Sequence, residues 1–263
     1  MKIGMLGFAG SGKTTLLASL TISLYQGDST SDLALFNFEG VETTRDLTEY
    51  ASMLQEGRWP PRTPSSKVTE YSIRLRRKST NTVFTLRLPE LPGELLEEVW
   101  RTDHIPPALQ FLADYEGYVL LADATAGEEQ DRTVATYVHL LQGMKRARGH
   151  SPSTWADEPL ALVLTKWDAL PLEDQELGPE AFAQEYLPLL ADFVKSNFTR
   201  SKAFACSAVG AVDAAGNPLL QRGRAPGRQG CRGWGVAGAW RQRSATRSAK
   251  RRASRLPAGR AGG

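Results

Sequence analysis

The apolar positions along the chain fall into runs of different period. Ile3-Gly4-Met5-Leu6 is a short apolar run that reads as a strand, and Leu16, Leu17, Leu20 and Leu24 after it recur at helical spacing. From residue 67 to 77 the chain alternates, with Tyr71, Ile73 and Leu75 on one face and Ser72, Arg74 and Arg76 on the other. A second alternating run, 83–88, places Phe84, Leu86 and Leu88 together. The polar link Lys78-Ser79-Thr80-Asn81 is short enough to join the two as an antiparallel hairpin. Alternation implies one wet face, so the hairpin is expected at a sheet edge. Tyr118–Ala122 and Leu160–Leu164 are continuously apolar, as suits central parallel strands covered on both sides, and Ala203–Cys206 reads as a last strand. Val134, Tyr137, Val138, Leu141 and Met144 form a helical stripe closed by Lys145, Arg146, Arg148 and Gly149. Phe182, Tyr186, Leu189, Leu190 and Phe193 form another, opened by Pro179 and kinked at Pro188. An extra helix is expected over 43–56 and a short one from Gly93 to Trp100. Strands alternating with helices predict a three-layer α/β fold: a mostly parallel sheet with one antiparallel edge hairpin. Ligands of such sheets bind at the carboxyl ends of the strands.

The chemistry-bearing residues sit at those ends. Gly7-Phe8-Ala9-Gly10-Ser11-Gly12-Lys13-Thr14, followed by Thr15, lies between the first strand and the first helix and matches G-x-x-x-x-G-K-[ST], the phosphate-binding P-loop. Gly7, Gly10 and Gly12 let the backbone N–H groups around Ser11 turn inward as a nest for phosphate oxygens. Lys13 can reach the β- and γ-phosphates, and the Thr14 hydroxyl can ligate Mg²⁺. The helix starting there turns its positive end to the anion. The three-layer fold is therefore expected to be of the P-loop NTPase kind. Later strand ends carry Glu90-Leu91-Pro92-Gly93-Glu94, Asp123-Ala124-Thr125, Thr165-Lys166-Trp167-Asp168 and Ser207-Ala208-Val209-Gly210. Asp123 either braces the phosphate loop or caps the next turn. His104, His139 and His150 lack metal-ligand spacing, which argues against a zinc or His-based site.

In order and spacing these segments resemble the P-loop GTPases over about residues 1–210. GFAGSGKTT matches their phosphate loop, TKWD their [NT]-K-x-D guanine signature, and CSAVG their base-contacting S-A-x loop, while ELPGE stands where they carry D-x-x-G. The chain looks most like the bacterial double-GTPase type, in which D-x-P-G-E and W-P-x-x-T are familiar; the latter stands here as Trp59-Pro60-Pro61-Arg62-Thr63. The resemblance implies that Asp168 accepts from guanine N1–H and N2–H₂, paired donors that adenine lacks. It implies that the Lys166 stem lies along the base, with Thr165 opening that loop and the Ser207-Ala208 backbone reaching O6. It implies Thr63 as a Mg²⁺ ligand and γ-phosphate sensor, with Thr43 and Thr44 as rivals. Glu90 would serve on the metal side with one methylene more than the usual aspartate, about 1.5 Å of extra reach. Gly93 would offer its N–H to the γ-phosphate. Glu94 stands where several GTPases place a water-orienting glutamine; there it acts as a base only with a raised pKa and otherwise repels the phosphate. Arg58, Arg62 and Arg101 are candidates for an arginine finger.

Composition adds a division. The chain has 263 residues, 41% hydrophobic and 23% charged, with a net charge of +3. Twelve of the 32 basic residues and none of the 29 acidic ones fall in 221–263, leaving −9 in residues 1–220. The tail holds nine glycines and only Val236 and Leu256 from the Leu, Ile, Val and Phe set, too little apolar surface to offset its ordering entropy. A GTPase-like domain is thus expected over 1–215 and a basic Gly/Arg-rich tail over 216–263. The tail is a disordered linker, a nucleic-acid arm, or the product of a shifted reading frame. Two cysteines, Cys206 and Cys231, give no disulfide framework, and no apolar run approaches membrane-spanning length. The expectation is a cytoplasmic guanine-nucleotide-binding protein that hydrolyses GTP slowly with Mg²⁺ and acts as a regulatory switch on an unnamed effector or partner GTPase. The alternatives are a non-hydrolysing nucleotide-binding scaffold and a P-loop ATPase or kinase.

Overall fold

The computed structural model describes residues 2–27, 31–62, 68–90, 114–147 and 158–220. Its strands, in chain order, are β1 (Ile3–Leu6), β2 (Leu33–Glu39), β3 (Thr69–Arg77), β4 (Thr82–Glu90), β5 (Gly117–Asp123), β6 (Leu160–Thr165) and β7 (Ser201–Ala205). Among the described residues they form one sheet in the order β2-β3-β4-β1-β5-β6-β7. From β4 through β1, β5 and β6 to β7 every pairing is parallel; β3 runs against both β2 and β4. The hairpin of β3 and β4 forms in register from Arg77↔Thr82 to Thr69↔Glu90. The outermost place belongs to β2, a strand not anticipated from the sequence. Both hairpin strands thus have a neighbour on each side among the described residues, so their alternation does not mark an edge position.

The helices are α1 (Lys13–Gln26), α2 (Val41–Gln55), α3 (Gly127–Arg132), α4 (Val134–Ala147), α5 (Leu172–Glu176), α6 (Pro179–Tyr186) and α7 (Pro188–Asn197). They divide between the two faces of the sheet. On one face Tyr118, Leu120, Ala122, Leu160, Leu162 and Leu164 meet Tyr137 and Leu140 of α4, Phe182 of α6 and Leu190 and Phe193 of α7 in one core. On the other, Ala18 and Ile22 of α1 pack with Ala51 and Leu54 of α2 and with Val209. The two continuous runs, β5 and β6, are buried on both faces, as their composition requires.

Three local expectations change. The stripe 182–193 is two helices, not one kinked helix: α6 ends at Tyr186 and α7 starts at Pro188, with the Asp131 carboxylate accepting from the Leu189 and Leu190 amides at 3.2 and 2.8 Å. Proline supplies no N–H at that first turn, so the helix restarts there. In α1 the buried residues are Lys13, Leu16, Leu17, Ala18, Ser19, Thr21 and Ile22, because α2 covers a second side; Leu20 and Leu24 are half-buried. The last strand ends at Ala205, one residue before Cys206. Gly93 to Trp100 lies outside the described residues. After β7 the chain closes a turn in which Val212 bridges Pro218, and the Trp59 indole N–H donates to the Gly216 carbonyl at 2.7 Å. Leu220 packs against the α1–α2 cluster, so described structure continues to residue 220; residues 221–263 lie outside it.

Candidate functional site

The loop from Gly7 to Gly12 joins β1 to α1 with Gly10 at φ 76° and Gly12, the residue before the helix, at φ 84°. Both are left-handed values that a side chain resists. Gly7 has a different reason: a Cβ there would collide with Ser11 Oγ and press on the Leu121 carbonyl oxygen at 3.1 Å. Lys13 is 6% exposed and its ammonium donates to the Gly7 and Phe8 carbonyls at 2.6 and 3.0 Å, so the charge sits within the loop curl. Ser11 Oγ is buried and has no hydrogen-bond partner among the described residues. An orphaned hydroxyl, a buried ammonium and a helix N-terminus in one curl form an arrangement that a phosphate would satisfy. Thr15 follows in the first turn of α1.

Thr14 and Glu90 are brought together. Glu90 is the last residue of β4, 1% exposed, and its Oε1 accepts from the Thr14 hydroxyl. A hydroxyl and a carboxylate at the mouth of a phosphate loop form the oxygen donor set that a hard divalent cation prefers, so the residues fit Mg²⁺. The other carboxylate oxygen, Oε2, accepts from the Tyr71 hydroxyl at 3.1 Å. Tyr71 is in turn hydrogen-bonded to Tyr50 of α2. Burial, and then the Glu90 charge, push the Tyr71 phenol far above its usual pKa, which keeps it a donor. No group of three or more His, Cys, Asp or Glu that could hold a metal occurs among the described residues.

The far end of the site is tied to the loop by one hydroxyl. Thr165 Oγ1 lies 3.0 Å from the Ser11 carbonyl and 3.2 Å from that of Ala122, with both as acceptors. Lys166 follows at φ 56°, and its ammonium pairs with Asp123 Oδ2. Asp123 uses its other oxygen to accept from the Thr125 amide at 3.0 Å and hydroxyl at 2.7 Å. Asp123 thus caps the turn after β5, and it binds the lysine of TKWD rather than the phosphate loop. Trp167 is buried edge-on against Phe182 at 5.0 Å, which leaves Asp168 exposed beside it. The Asp168 amide donates to Ser207 Oγ at 3.0 Å and the Trp167 amide to the Cys206 carbonyl at 3.3 Å, so the TKWD and S-A-V segments are one unit. Ala208 is half-buried next to it.

Lys13, Thr14, Glu90, Thr165, Lys166, Asp168 and Ser207 therefore gather along the carboxyl ends of adjacent strands. Thr63, Gly93, Glu94 and Arg101 lie outside the described residues. The rival threonines are occupied in α2: Thr44 donates to the Gly40 carbonyl at 2.9 Å, and Thr43 accepts from the Ser72 amide at 3.5 Å. Arg58 pairs with Glu56 and Arg62 is exposed. Two contacts had no sequence signal of their own: Tyr71 on Glu90 and Asp123 on Lys166. The only hint of the first was a tyrosine on an otherwise aliphatic strand face, since a buried phenol needs a partner.

A family model described as Double-GTPase 2 matches residues 2–218. No curated protein matches the chain. Among solved structures, the GTP-bound Ski7 GTPase-like domain of S. cerevisiae aligns at 15% identity and TM-score 0.45, covering 79% of this chain and 42% of that one. Roco2 RocCORdC of Methanosarcina barkeri, bound to GDP, aligns at 17% identity and TM-score 0.32, covering 79% and 43%. The chain thus spans less than half the length of these structural relatives.

Proposed function

This chain belongs to the Double-GTPase 2 family, and from that premise we propose that it binds GTP and GDP, hydrolyses GTP slowly with Mg²⁺, and acts as a regulatory switch. The observation that carries the reading is the tie between the two ends of the site: Thr165 hydrogen-bonds to the Ser11 carbonyl of the phosphate loop while its own segment continues to Asp168. A phosphate cradle and a carboxylate suited to guanine are thereby held on one frame.

Each residue then has a task. The loop amides and Lys13 hold and neutralise the phosphates. Asp168 accepts from the guanine N1–H and N2–H₂, and the Ser207-Ala208 backbone donates to O6. Mg²⁺ bound at Thr14 and Glu90, with Thr63, would offset charge on the phosphate oxygens. Hydrolysis is then transfer of the γ-phosphoryl group to water, achieved mostly by positioning and charge neutralisation. Glu94, at the position where several GTPases carry a water-orienting glutamine, would add negative charge near the γ-phosphate and so slow the reaction. Nucleotide state would be read by movement at Thr63 and Gly93 and passed to an effector or partner GTPase. We place the protein in the cytoplasm, with the GTPase-like domain expected over 1–215 carried on through the described contacts of Gly216 and Leu220, and the basic Gly/Arg-rich tail after it. Sequencing the gene and mass spectrometry of the C-terminal peptide separate linker, nucleic-acid arm and shifted frame.

Single-turnover GTP hydrolysis by the full chain and by Glu90→Asp tests the proposal. A slow, Mg²⁺-dependent rate in the parent chain supports it. Nucleotide binding without hydrolysis in either chain favours the scaffold reading, and tighter ADP than GDP binding the ATPase or kinase reading.

A further inference from the structure

We infer that Tyr71 is a positioning residue for the metal-side carboxylate, and that it is what allows a glutamate to stand at position 90. The inference rests on the nucleotide-binding reading above and extends it to a residue outside the recognised motifs.

The sheet register dictates the contact. Tyr71 of β3 is paired with Leu88 of β4, and Glu90 lies two residues further on, hence on the same face. Such a diagonal neighbour is about 7–8 Å away across the ladder, within reach of an aromatic side chain. The phenol spans it and donates to Glu90 Oε2 at 3.1 Å, while Oε1 takes the Thr14 hydroxyl. The two oxygens thus have separate duties: one is pinned to the hairpin, the other turned to the mouth of the phosphate loop. Glutamate has one more rotatable bond than aspartate, and a carboxylate free to swing would meet a small cation that demands strict octahedral geometry poorly. The Tyr71 bond removes that freedom. Tyr71 itself is 1% exposed and is also hydrogen-bonded to Tyr50 of α2. An aspartate at position 90, shorter by one carbon, would draw its oxygen back from the phenol and leave Tyr71 with nothing to position.

The experiment is a Mg²⁺ titration of GDP affinity, followed with a fluorescent GDP, on the full chain and on Tyr71→Phe, Glu90→Asp and the double variant. Tyr71→Phe keeps the ring and should leave GDP affinity in EDTA within about twofold of the parent, because the phosphate and base contacts are untouched. It should raise the Mg²⁺ concentration for half-maximal tightening by about tenfold, the scale seen when a hydrogen bond to a metal ligand is removed. In the Glu90→Asp background the same change should shift that midpoint by less than about twofold. Tyr50→Phe should move it in the same direction by a smaller factor, and serves if Tyr71→Phe does not fold. An unchanged midpoint in Tyr71→Phe, or an equal shift with aspartate at position 90, overturns the inference while leaving nucleotide binding intact. A parent chain that fails to bind GDP at all overturns the proposed function itself.

Discussion

Replacing Thr165 by valine removes one hydroxyl and keeps nearly the same shape. In the folded chain that hydroxyl is buried and shared between the Ser11 and Ala122 carbonyls at 3.0 and 3.2 Å. One proton serves two acceptors, so the loss counts as about one hydrogen bond, with some added cost for a buried carbonyl left short of a donor. Together this is about 1–2 kcal/mol. For a domain of this size each kcal/mol lowers the melting temperature by about 2–4 °C, which gives a drop of roughly 2–8 °C by calorimetry or circular dichroism. The Ser11 carbonyl belongs to the phosphate loop, so GDP affinity should also fall, by about three- to tenfold, which is up to 1.4 kcal/mol. Thr165→Ser is the control. It keeps the donor and loses one methyl, about 0.8 kcal/mol of buried surface; it should therefore melt somewhat early yet bind GDP like the parent. Thermal melting of the three chains reads the first effect and isothermal titration with GDP the second. If serine and valine bind GDP equally well, the hydroxyl does not couple the base loop to the phosphate loop, and the reasoning fails.

Phe182→Ala should cost about 3–5 kcal/mol, since Phe182 is 2% exposed and is the ring on which Trp167 rests at 5.0 Å; chemical denaturation measures it, and a loss below 1 kcal/mol would show that α6 does not support the TKWD segment. Gly7→Ala should weaken nucleotide binding even where the chain folds, because the new Cβ would meet Ser11 Oγ and the Leu121 backbone; parent-like affinity would contradict the loop geometry. Asp213 accepts from the side chain of Asn217 first, then from the amides of Asn217 and Ala215, and these hold its carboxyl below the usual range. Its stabilisation of the 213–217 turn is therefore present above the unfolded carboxyl value near ~3.9 and lost as pH falls through the lower folded value. The Asn217 amide resonance should stay constant down to about pH 4 and move below it; movement near neutrality would rule out that turn.

How far the fold could be read from residues depends on the element. β5 and β6 announced themselves because burial on both faces demands continuous apolar runs, and β3 because one wet face leaves a strict alternation. β2 did not. Its Leu33–Glu39 segment is half-exposed, and a register irregularity between Leu35 and Asn37 breaks the period of two against β3. Proline at 188 was visible as a disturbance, but that Asp131 would cap a fresh helix there depended on a residue 57 positions earlier. The site shows the same split. The P-loop and TKWD are local strings, recognisable from neighbours in sequence alone, and both stand at the carboxyl ends of their strands. The contacts that orient them are products of sheet register: Tyr71 reaches Glu90 across the hairpin, and Asp123 reaches Lys166 because Asp123 and Thr165 are paired ends of β5 and β6. Glu90 departs from the aspartate of the GTPase pattern, and Tyr71 across the hairpin gives that departure a structural partner.

The most direct measurement is a competition titration of GDP against ADP on the full chain, with Lys13→Ala and Asp168→Asn alongside. GDP should bind the parent more tightly than ADP. Lys13→Ala should bind neither, since it removes the ammonium that lies inside the loop. Asp168→Asn should lose about 10- to 100-fold toward GDP, the worth of a hydrogen bond to a charged acceptor, and little toward ADP. ADP binding as tight as GDP, or full affinity retained without Lys13, would contradict a guanine-nucleotide site on this frame.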